Sequence, residues 1–211
     1  MNVRRREILT ILATGGMMAY GAAAHPAGNG AQPKPWQWIE RRGLDEELLG
    51  TPLQFMPSMQ DPHPLEDELR KFPLCPYCGM SRSHEQWQRT RHLVHYGDDS
   101  VDPTCSIHCA ALSLGLNLDL GPKAIYGADA GSTRPVPPLI QVEQLHYVID
   151  PSRPGTMTRR SKWAYADRKI AQEAAKGTGE LADFEQALRA AYPDMAEDTI
   201  LIRKRRAEMR G

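Results

Sequence analysis

The sequence has no excess of charge of either sign. Its 211 residues include 26 basic and 26 acidic side chains, and charged residues make up 25% of the chain. This composition argues against intrinsic disorder and against a dedicated nucleic-acid binder. Long apolar runs are also scarce, because outside the N-terminus no segment approaches the roughly 18 apolar residues of a membrane span. With a mean hydropathy of -0.52, a multi-span membrane protein is excluded.

Recognisable enzyme motifs are missing as well. The chain has no phosphate-binding loop, no zinc-protease motif and no Ser-His-Asp pattern. We therefore expect a protein that is not an enzyme. The 41% hydrophobic content is sufficient for a packed core. The residues that say most about function are the four cysteines, Cys75, Cys78, Cys105 and Cys109.

The N-terminus has the layout of an export signal. Three arginines, Arg4 to Arg6, precede an uncharged stretch that ends in an Ala-x-Ala pattern at 22–24. Arg5 and Arg6, followed by Glu-Ile-Leu, resemble the twin-arginine pattern. We expect residues 1–24 to be a signal read by the twin-arginine export machinery. The protein is then periplasmic or extracytoplasmic, with no stable membrane span after signal removal. A Sec signal or a retained anchor is the alternative.

Beyond the signal, turn residues divide the chain into four segments. Residues 25–35 are rich in Gly, Pro, Ala and Gln and are typical of a flexible linker. We expect an N-terminal helical extension at 36–73, a metal-binding domain at 74–192 and a basic C-terminal helix at 193–211. The helices predicted for the extension are 36–49 and 65–72.

The domain at 74–192 repeats one order of elements. The elements predicted for its first half are a strand at 90–96, a hairpin turn at 97–99, a helix to about 116 and an extended segment at 124–127. Those predicted for its second half are strands at 145–149 and 162–165, a helix at 167–176, an extended piece at 180–182 and a helix at 183–192. We therefore expect an α+β fold of two strand-strand-helix-strand units. Asp102 and Pro103 should begin the first helix, since Asp caps helices and Pro suits their first position.

The spacing of the cysteines is typical of metal ligands. Cys75 and Cys78 form a C-x2-C pair, and Cys105 and Cys109 form a C-x3-C pair 26 residues further on. In a helix, Cys105 and Cys109 share one face, and His108 lies next to it. If Asp102 caps that helix, Cys105 occupies its first turn, where the helix dipole lowers the pKa of a thiol. A protein exported in the folded state can load such thiolates before it leaves the reducing cytoplasm.

Several interpretations of these sulfurs are open. Two disulfides suit an exported protein, although a bridge between i and i+4 in a helix is awkward. A zinc site that only braces the fold is the second interpretation. A soft-metal site is the third, because Met80 follows Cys78 by two residues and, on an extended segment, lies on the same side. Copper(I) prefers such sulfur ligands. A dithiol oxidoreductase is the fourth, but the residues around Cys-Pro-Tyr-Cys do not form the strand-to-helix context of that motif.

The segment Cys78-Gly79-Met80 resembles the hallmark of the NosL family, exported copper(I)-binding accessory proteins of nitrous oxide reductase. Tyr147-Val148-Ile149, Gly155-Thr156-Met157 and Trp163-Ala164-Tyr165-Ala166 resemble the second half of that family. The resemblance implies a fold related to that of organomercurial lyase, with copper(I) held by Cys78, Met80 and Met157. Cys75 and the cluster at 105–109 lie outside the minimal family motif and are similar to a branch that carries C-S-x-H-C.

The expected function is that of an exported copper(I) metallochaperone or accessory protein. Cys78 is the expected anchoring thiolate, Met80 and Met157 are neutral thioethers, and Cys75 or Cys109 are auxiliary ligands. The expected partner is an acceptor metalloenzyme, either similar to nitrous oxide reductase or another exported enzyme. The alternatives are a zinc-braced interaction module for an exported redox enzyme and, third, a dithiol-disulfide oxidoreductase.

Overall fold

The structure, a computed structural model, describes residues 59–118 and 120–210. The predicted signal, the linker and the helix predicted at 36–49 lie outside the described residues. The strands are β1 (Met59–Gln60), β2 (His92–Tyr96), β3 (Ser100–Thr104), β4 (Pro122–Ala128), β5 (Leu139–Gln141), β6 (His146–Asp150), β7 (Ser161–Tyr165) and β8 (Glu180–Ala182). The helices are α1 (Glu68–Lys71), α2 (Ile107–Leu116), α3 (Arg168–Ala174) and α4 (Phe184–Glu208), with a 3-10 turn at Val142–Gln144. Within the described ranges, no helix combines the length and apolar character of a membrane span.

Two antiparallel sheets make this an α+β protein. The first sheet has the order β1-β3-β2-β4-β5 and the second the order β7-β6-β8. In each sheet a hairpin is followed by a helix, and the strand after the helix pairs with the first strand of the hairpin. The elements β2, β3, α2 and β4 thus have the same arrangement as β6, β7, α3 and β8. The prediction of two strand-strand-helix-strand units is confirmed.

Helix α4 joins the units by packing against α2. Ala187 and Ala191 of α4 are fully buried in a core that includes Ile107 and Ala111 of α2 and Tyr147 of β6. Small residues on α4 let the two helices approach closely, which increases the apolar area removed from water. A capping box formed by Asp183 and Gln186 begins the helix.

Pro193 does not interrupt α4, although we expected one helix to end at 192 and another to follow. Proline removes one helical hydrogen bond, and this is tolerated where packing holds both sides of the chain. Before it, the Tyr192 hydroxyl donates to the Ala111 carbonyl at 3.0 Å. After it, Arg160 donates two hydrogen bonds of 2.9 Å to the Asp194 carboxylate. These contacts keep residues 184–208 in a single helix.

The start of α2 differs from the prediction. Asp102 and Pro103 lie in β3, and the helix begins at Ile107 after Ser106, so the expectation that they start the helix is wrong. β1 pairs only with Ser100 and Val101, which leaves the outer side of β3 without a strand partner at Pro103. Proline is tolerated at such an edge because no ladder hydrogen bond is lost there.

A buried group of three charges fastens the segment that carries Cys75 and Cys78. Glu68 of α1 forms ion pairs with Arg82, at 2.9 Å, and with Arg91, at 2.6 Å. Arg82 also donates to the carbonyls of Phe72, at 2.6 Å, and Thr104, at 3.2 Å. One guanidinium therefore holds the chain just before Cys75 and just before Cys105. Nothing in the sequence pattern distinguished these residues from ordinary surface charges.

Replacing Arg82 by methionine should reduce the free energy of unfolding by about 3 kcal/mol, because one oxygen of the buried Glu68 carboxylate and two buried carbonyls lose the donor that Arg82 supplies. Urea denaturation of the metal-free protein measures the change. The matched control is Arg70→Met, whose pair with Asp67 is 80% and 70% exposed and should contribute less than about 0.5 kcal/mol. Equal effects of the two substitutions would contradict this account of Arg82.

Candidate metal centre

Cys75 and Cys78 lie in a closed loop. A bridge between Leu74 and Ser81 joins its ends. Within it, the Cys75 amide donates to the Met80 carbonyl and the Gly79 amide to the Cys75 carbonyl, both at 2.9 Å. Gly79 has φ +71, a conformation that residues with a Cβ rarely adopt. The expected extended segment from Cys78 to Met80 is therefore a tight turn.

Cys105 and Cys109 come from the junction between β3 and α2. Cys105 follows β3 directly, and Cys109 lies in the first turn of α2. The Thr90 hydroxyl donates to the Cys105 carbonyl at 3.0 Å, which fixes the backbone before the helix. The short connection of two residues between β3 and α2 aims both thiols at the loop that carries Cys75 and Cys78.

The structure brings the four predicted cysteines together as free thiols. Their Sγ atoms all lie within 4.8 Å of one another. The Cys78 and Cys105 sulfurs are 3.4 Å apart, and those of Cys105 and Cys109 are 3.7 Å apart. Four sulfurs bound tetrahedrally at about 2.3 Å from one ion are about 3.8 Å from each other. The donor set therefore fits one four-coordinate soft ion after small side-chain movements.

The cluster stabilises negative charge on two of its sulfurs. Hydrogen bonds from the Cys105 and Cys109 thiols, with further ones from the Cys78 and Tyr77 amides, hold the pKa of Cys75 far below its usual range. A hydrogen bond from Cys109 and another from the Met80 amide outweigh desolvation and lower the pKa of Cys78 to about 7. Because the thiolate is the form of cysteine that binds metal, the lowered pKa values of Cys75 and Cys78 favour metal binding by this loop.

The other two cysteines hold their protons more strongly. The hydrogen bonds that Cys109 shares with Cys105, Cys75 and Cys78 favour its protonated form and raise its pKa. The hydrogen bond between Cys105 and Cys109 lowers the pKa of Cys105, but the hydrogen bond of Cys105 with Cys75, its burial and nearby negative charge outweigh that effect and raise its pKa. The expectation of a helix-lowered pKa at Cys105 is wrong, because this residue precedes the helix and neighbours a thiolate.

A polar network behind the loop was not predicted. The Tyr77 hydroxyl donates to the buried Asp102 carboxylate at 2.5 Å, and the Ser113 hydroxyl donates to the same oxygen at 2.6 Å. Burial is the main cause of the raised pKa of Asp102, and the charge of Cys75 adds to it. The network joins the loop to β3 and α2, so it sets the distance between the two cysteine pairs. The one feature of the sequence that could have indicated this network is Tyr77, which lies inside the C-x2-C motif.

The two methionines predicted as ligands have different surroundings. Met80 is partly buried and packs against the sulfurs of the cluster. Met157 is 51% exposed at φ +66 in a turn closed by a bridge between Gly155 and Thr158. That turn is joined to the segment before β2 by the Thr156 side chain, whose hydroxyl shares a hydrogen bond of 2.7 Å with the hydroxyl of Thr90. A metal-ligand role of either thioether stays a prediction.

His108 does not join the four sulfurs. It is buried, and its Nε2 accepts a hydrogen bond from the Lys162 ammonium at 3.1 Å. Burial, together with the charge of Lys162, lowers the pKa of His108 to about 4. Three residues after Cys105, the ring is rotated from the sulfur face of α2 towards β7, which carries Lys162. Neutral His108 thus connects α2 to the second sheet, and its role as a metal ligand stays a prediction.

The backbone after Cys78 also bears on the dithiol interpretation. Residues 82–91 form bends and turns that lead into β2, and a glycine in a left-handed conformation follows Cys78 directly. The Cys-Pro-Tyr-Cys segment is therefore a loop rather than the start of a long helix. Without the dipole of a following helix, this pair lacks the support that a helix N-terminus gives to a reactive thiolate.

No family model matches the chain, and no curated protein matches its sequence. Among solved structures, the chain is similar to the copper chaperone NosL from Shewanella denitrificans, with a TM-score of 0.44 and 18% sequence identity. The match covers 53% of this chain and 87% of that chain.

In the metal-free protein, we expect the absorbance of a thiolate near 240 nm to persist well below neutral pH, because Cys75 stays ionised. Titration from about pH 8 to about pH 4 should leave a plateau equivalent to one thiolate after Cys78 has taken up its proton. Cys75→Ser should abolish the plateau. Loss of all thiolate absorbance in a single step above about pH 7.5 in the wild type would contradict the proposed sharing of protons.

Proposed function

We propose that this protein is an exported copper(I) metallochaperone that binds one ion in its cysteine cluster and passes it to a partner by ligand exchange. The observation that supports this most strongly is the convergence of four Sγ atoms within 4.8 Å of one another. They come from two separate segments, and amide and thiol hydrogen bonds stabilise two of them as thiolates. Such a set is a binding site for a soft cation.

The surroundings of the cluster favour copper(I) as the cargo. Copper(I) prefers polarisable sulfur, and Met80, whose side chain carries a neutral thioether, packs against the cysteine cluster. Cys78 lies at the surface, so one ligand is accessible to an acceptor. Because copper(I) is stable with fewer than four ligands, it can stay bound while one ligand is replaced. A carrier that holds and releases an unchanged ion needs no catalytic residue, and we propose no enzymatic activity.

A second candidate is a zinc-braced interaction module. The observation that favours it is the number of cysteine sulfurs, since four of them saturate the tetrahedral coordination of structural zinc. In that case the ion would fasten the loop to the β3–α2 junction, and the surface of the protein would dock on an exported redox enzyme. The two candidates differ in whether the ion can be removed without loss of the fold.

The place of action and the client are part of the proposal. The predicted twin-arginine signal at 1–24 supports export to a periplasmic or extracytoplasmic space. An acceptor metalloenzyme of that compartment, similar to nitrous oxide reductase or of another type, is the proposed recipient of the copper. Folding and metal loading before export would protect the thiolates from oxidation.

Metal analysis of anaerobically purified protein, followed by copper(I) titration against the chromophoric chelator bicinchoninate, tests the proposal. We expect one tightly bound copper(I) per chain. Cys78→Ser should weaken the affinity at least tenfold because an anchoring thiolate is lost. Met80→Leu and Met157→Leu should each weaken it less, since thioethers bind copper more weakly than thiolates do. The control is Met209→Leu, a methionine 78% exposed near the end of α4, which should change nothing.

One zinc per chain that copper(I) does not displace, with an affinity unaffected by Met80→Leu and Met157→Leu, would overturn the copper proposal in favour of the zinc module. Protein without bound metal, in which a mixed disulfide accumulates on Cys75 when Cys78 is changed to serine, would support the dithiol oxidoreductase instead.

A further inference from the structure

We propose that Cys78 is the exchange ligand of the metal centre, and that the uncharged loop around it is the docking surface for an acceptor that presents a sulfur donor. This inference rests on the proposed function, and it adds the route by which the metal enters and leaves. It gives Cys78 a role that differs from that of Cys75, Cys105 and Cys109. The spacing of the cysteines in the sequence does not distinguish these roles.

Differences in burial establish the route. Cys75, Cys105 and Cys109 are at most 3% exposed, whereas Cys78 lies at the surface. Cys109 lies in α2, which packs against α4 in the core. Arg82, which is fully buried, holds the carbonyl of Thr104 before Cys105. Among the four cysteines, Cys78 is therefore the one that an incoming ligand can reach.

Exposure makes Cys78 the easier thiolate to release. Its side chain lies at the surface, whereas Cys75 is 2% exposed. Water can replace the lost ion contact at Cys78 but not at the buried Cys75.

The loop that carries Cys78 is mostly apolar and contains no Asp, Glu, Lys, Arg or His. From Phe72 to Ser81 the sequence contains no ionisable side chain other than the two cysteines and Tyr77, whose hydroxyl is bound to Asp102. Leu74 is 57% exposed, and Pro73, Pro76 and Gly79 are exposed as well. We call these four exposed residues the rim. When a partner covers the rim, water is excluded and no charged side chain of the rim has to be desolvated. The rim fits an acceptor whose own metal site lies in an uncharged surface.

The exchange step is a ligand substitution. A thiolate or thioether sulfur of the acceptor forms a bond to copper(I), and the bond from copper to the Cys78 sulfur then breaks. Cys78 leaves as a thiolate and is hydrated or protonated by solvent. No electron is transferred, and copper stays in the +1 state throughout. The remaining sulfurs, Cys75, Cys105 and Cys109, hold the ion until the acceptor supplies further ligands.

Alkylation of the copper-loaded protein tests the assignment of Cys78. With N-ethylmaleimide under anaerobic conditions, we expect Cys78 to be modified at least tenfold faster than each of the other three cysteines, as read by peptide mass spectrometry. Copper should stay bound after the modification of Cys78, because Cys75, Cys105 and Cys109 still hold it. Similar rates at Cys78 and Cys105, or earlier modification of a buried cysteine, would overturn the inference. A protein that binds no copper fails the titration described above, so failure of the proposed function is recognised separately.

A charge placed on the rim tests the docking surface. Transfer of copper(I) to the anionic chelator bicinchoninate should be slowed about two- to fivefold at low ionic strength by Leu74→Asp, because the new carboxylate repels the probe at the entrance. Added salt should restore the rate. The matched control is Val136→Asp, a residue 49% exposed on a loop outside the cysteine segments. Equal rates in the two variants at low salt would show that the chelator reaches the ion from another side.

Discussion

The guanidinium of Arg82 holds together the two chain segments that carry the cysteines. It binds the carbonyl of Phe72 before the loop and the carbonyl of Thr104 before Cys105, and Glu68 neutralises it in the interior. Burying this charge is unfavourable unless every donor finds a partner, so the arrangement tolerates little displacement. The separation of the sulfur pairs follows from this constraint and from the Tyr77–Asp102 hydrogen bond. The metal centre is therefore a property of the folded domain rather than of a flexible motif.

Competition for protons limits the repulsion between the four sulfurs. Four thiolates at these distances would repel one another strongly in a buried environment. Instead, Cys109 and Cys105 keep their protons and donate hydrogen bonds within the cluster, while Cys75 carries the negative charge. A cation that displaces these protons gains the attraction of further thiolates, and its binding weakens as the pH falls. Proton sharing thus stabilises the cluster and leaves its sulfurs available to a metal.

Patterns of residues close in sequence predicted the order of strands and helices and the two cysteine pairs. The doubled strand-strand-helix-strand order follows from apolar alternation and turn residues, and the two cysteine pairs follow from ligand spacing. Asp102-Pro103 was misread because its signal is that of a helix start, whereas edge pairing and the buried contacts of Asp102 place it in β3. The spacing of His108 from Cys105 gave no sign of its hydrogen bond with Lys162, a residue 54 positions away. Contacts over such separations leave no local pattern.

The central claim is that sulfurs from both segments hold one soft ion together. X-ray absorption spectroscopy of the copper(I)-loaded full-length protein measures the atoms bound to the ion most directly. We predict a coordination shell of sulfur alone, which loses sulfur when either Cys78 or Cys109 is changed to serine. A shell dominated by nitrogen or oxygen, or one that changes with Cys78 but not with Cys109, would contradict a shared site.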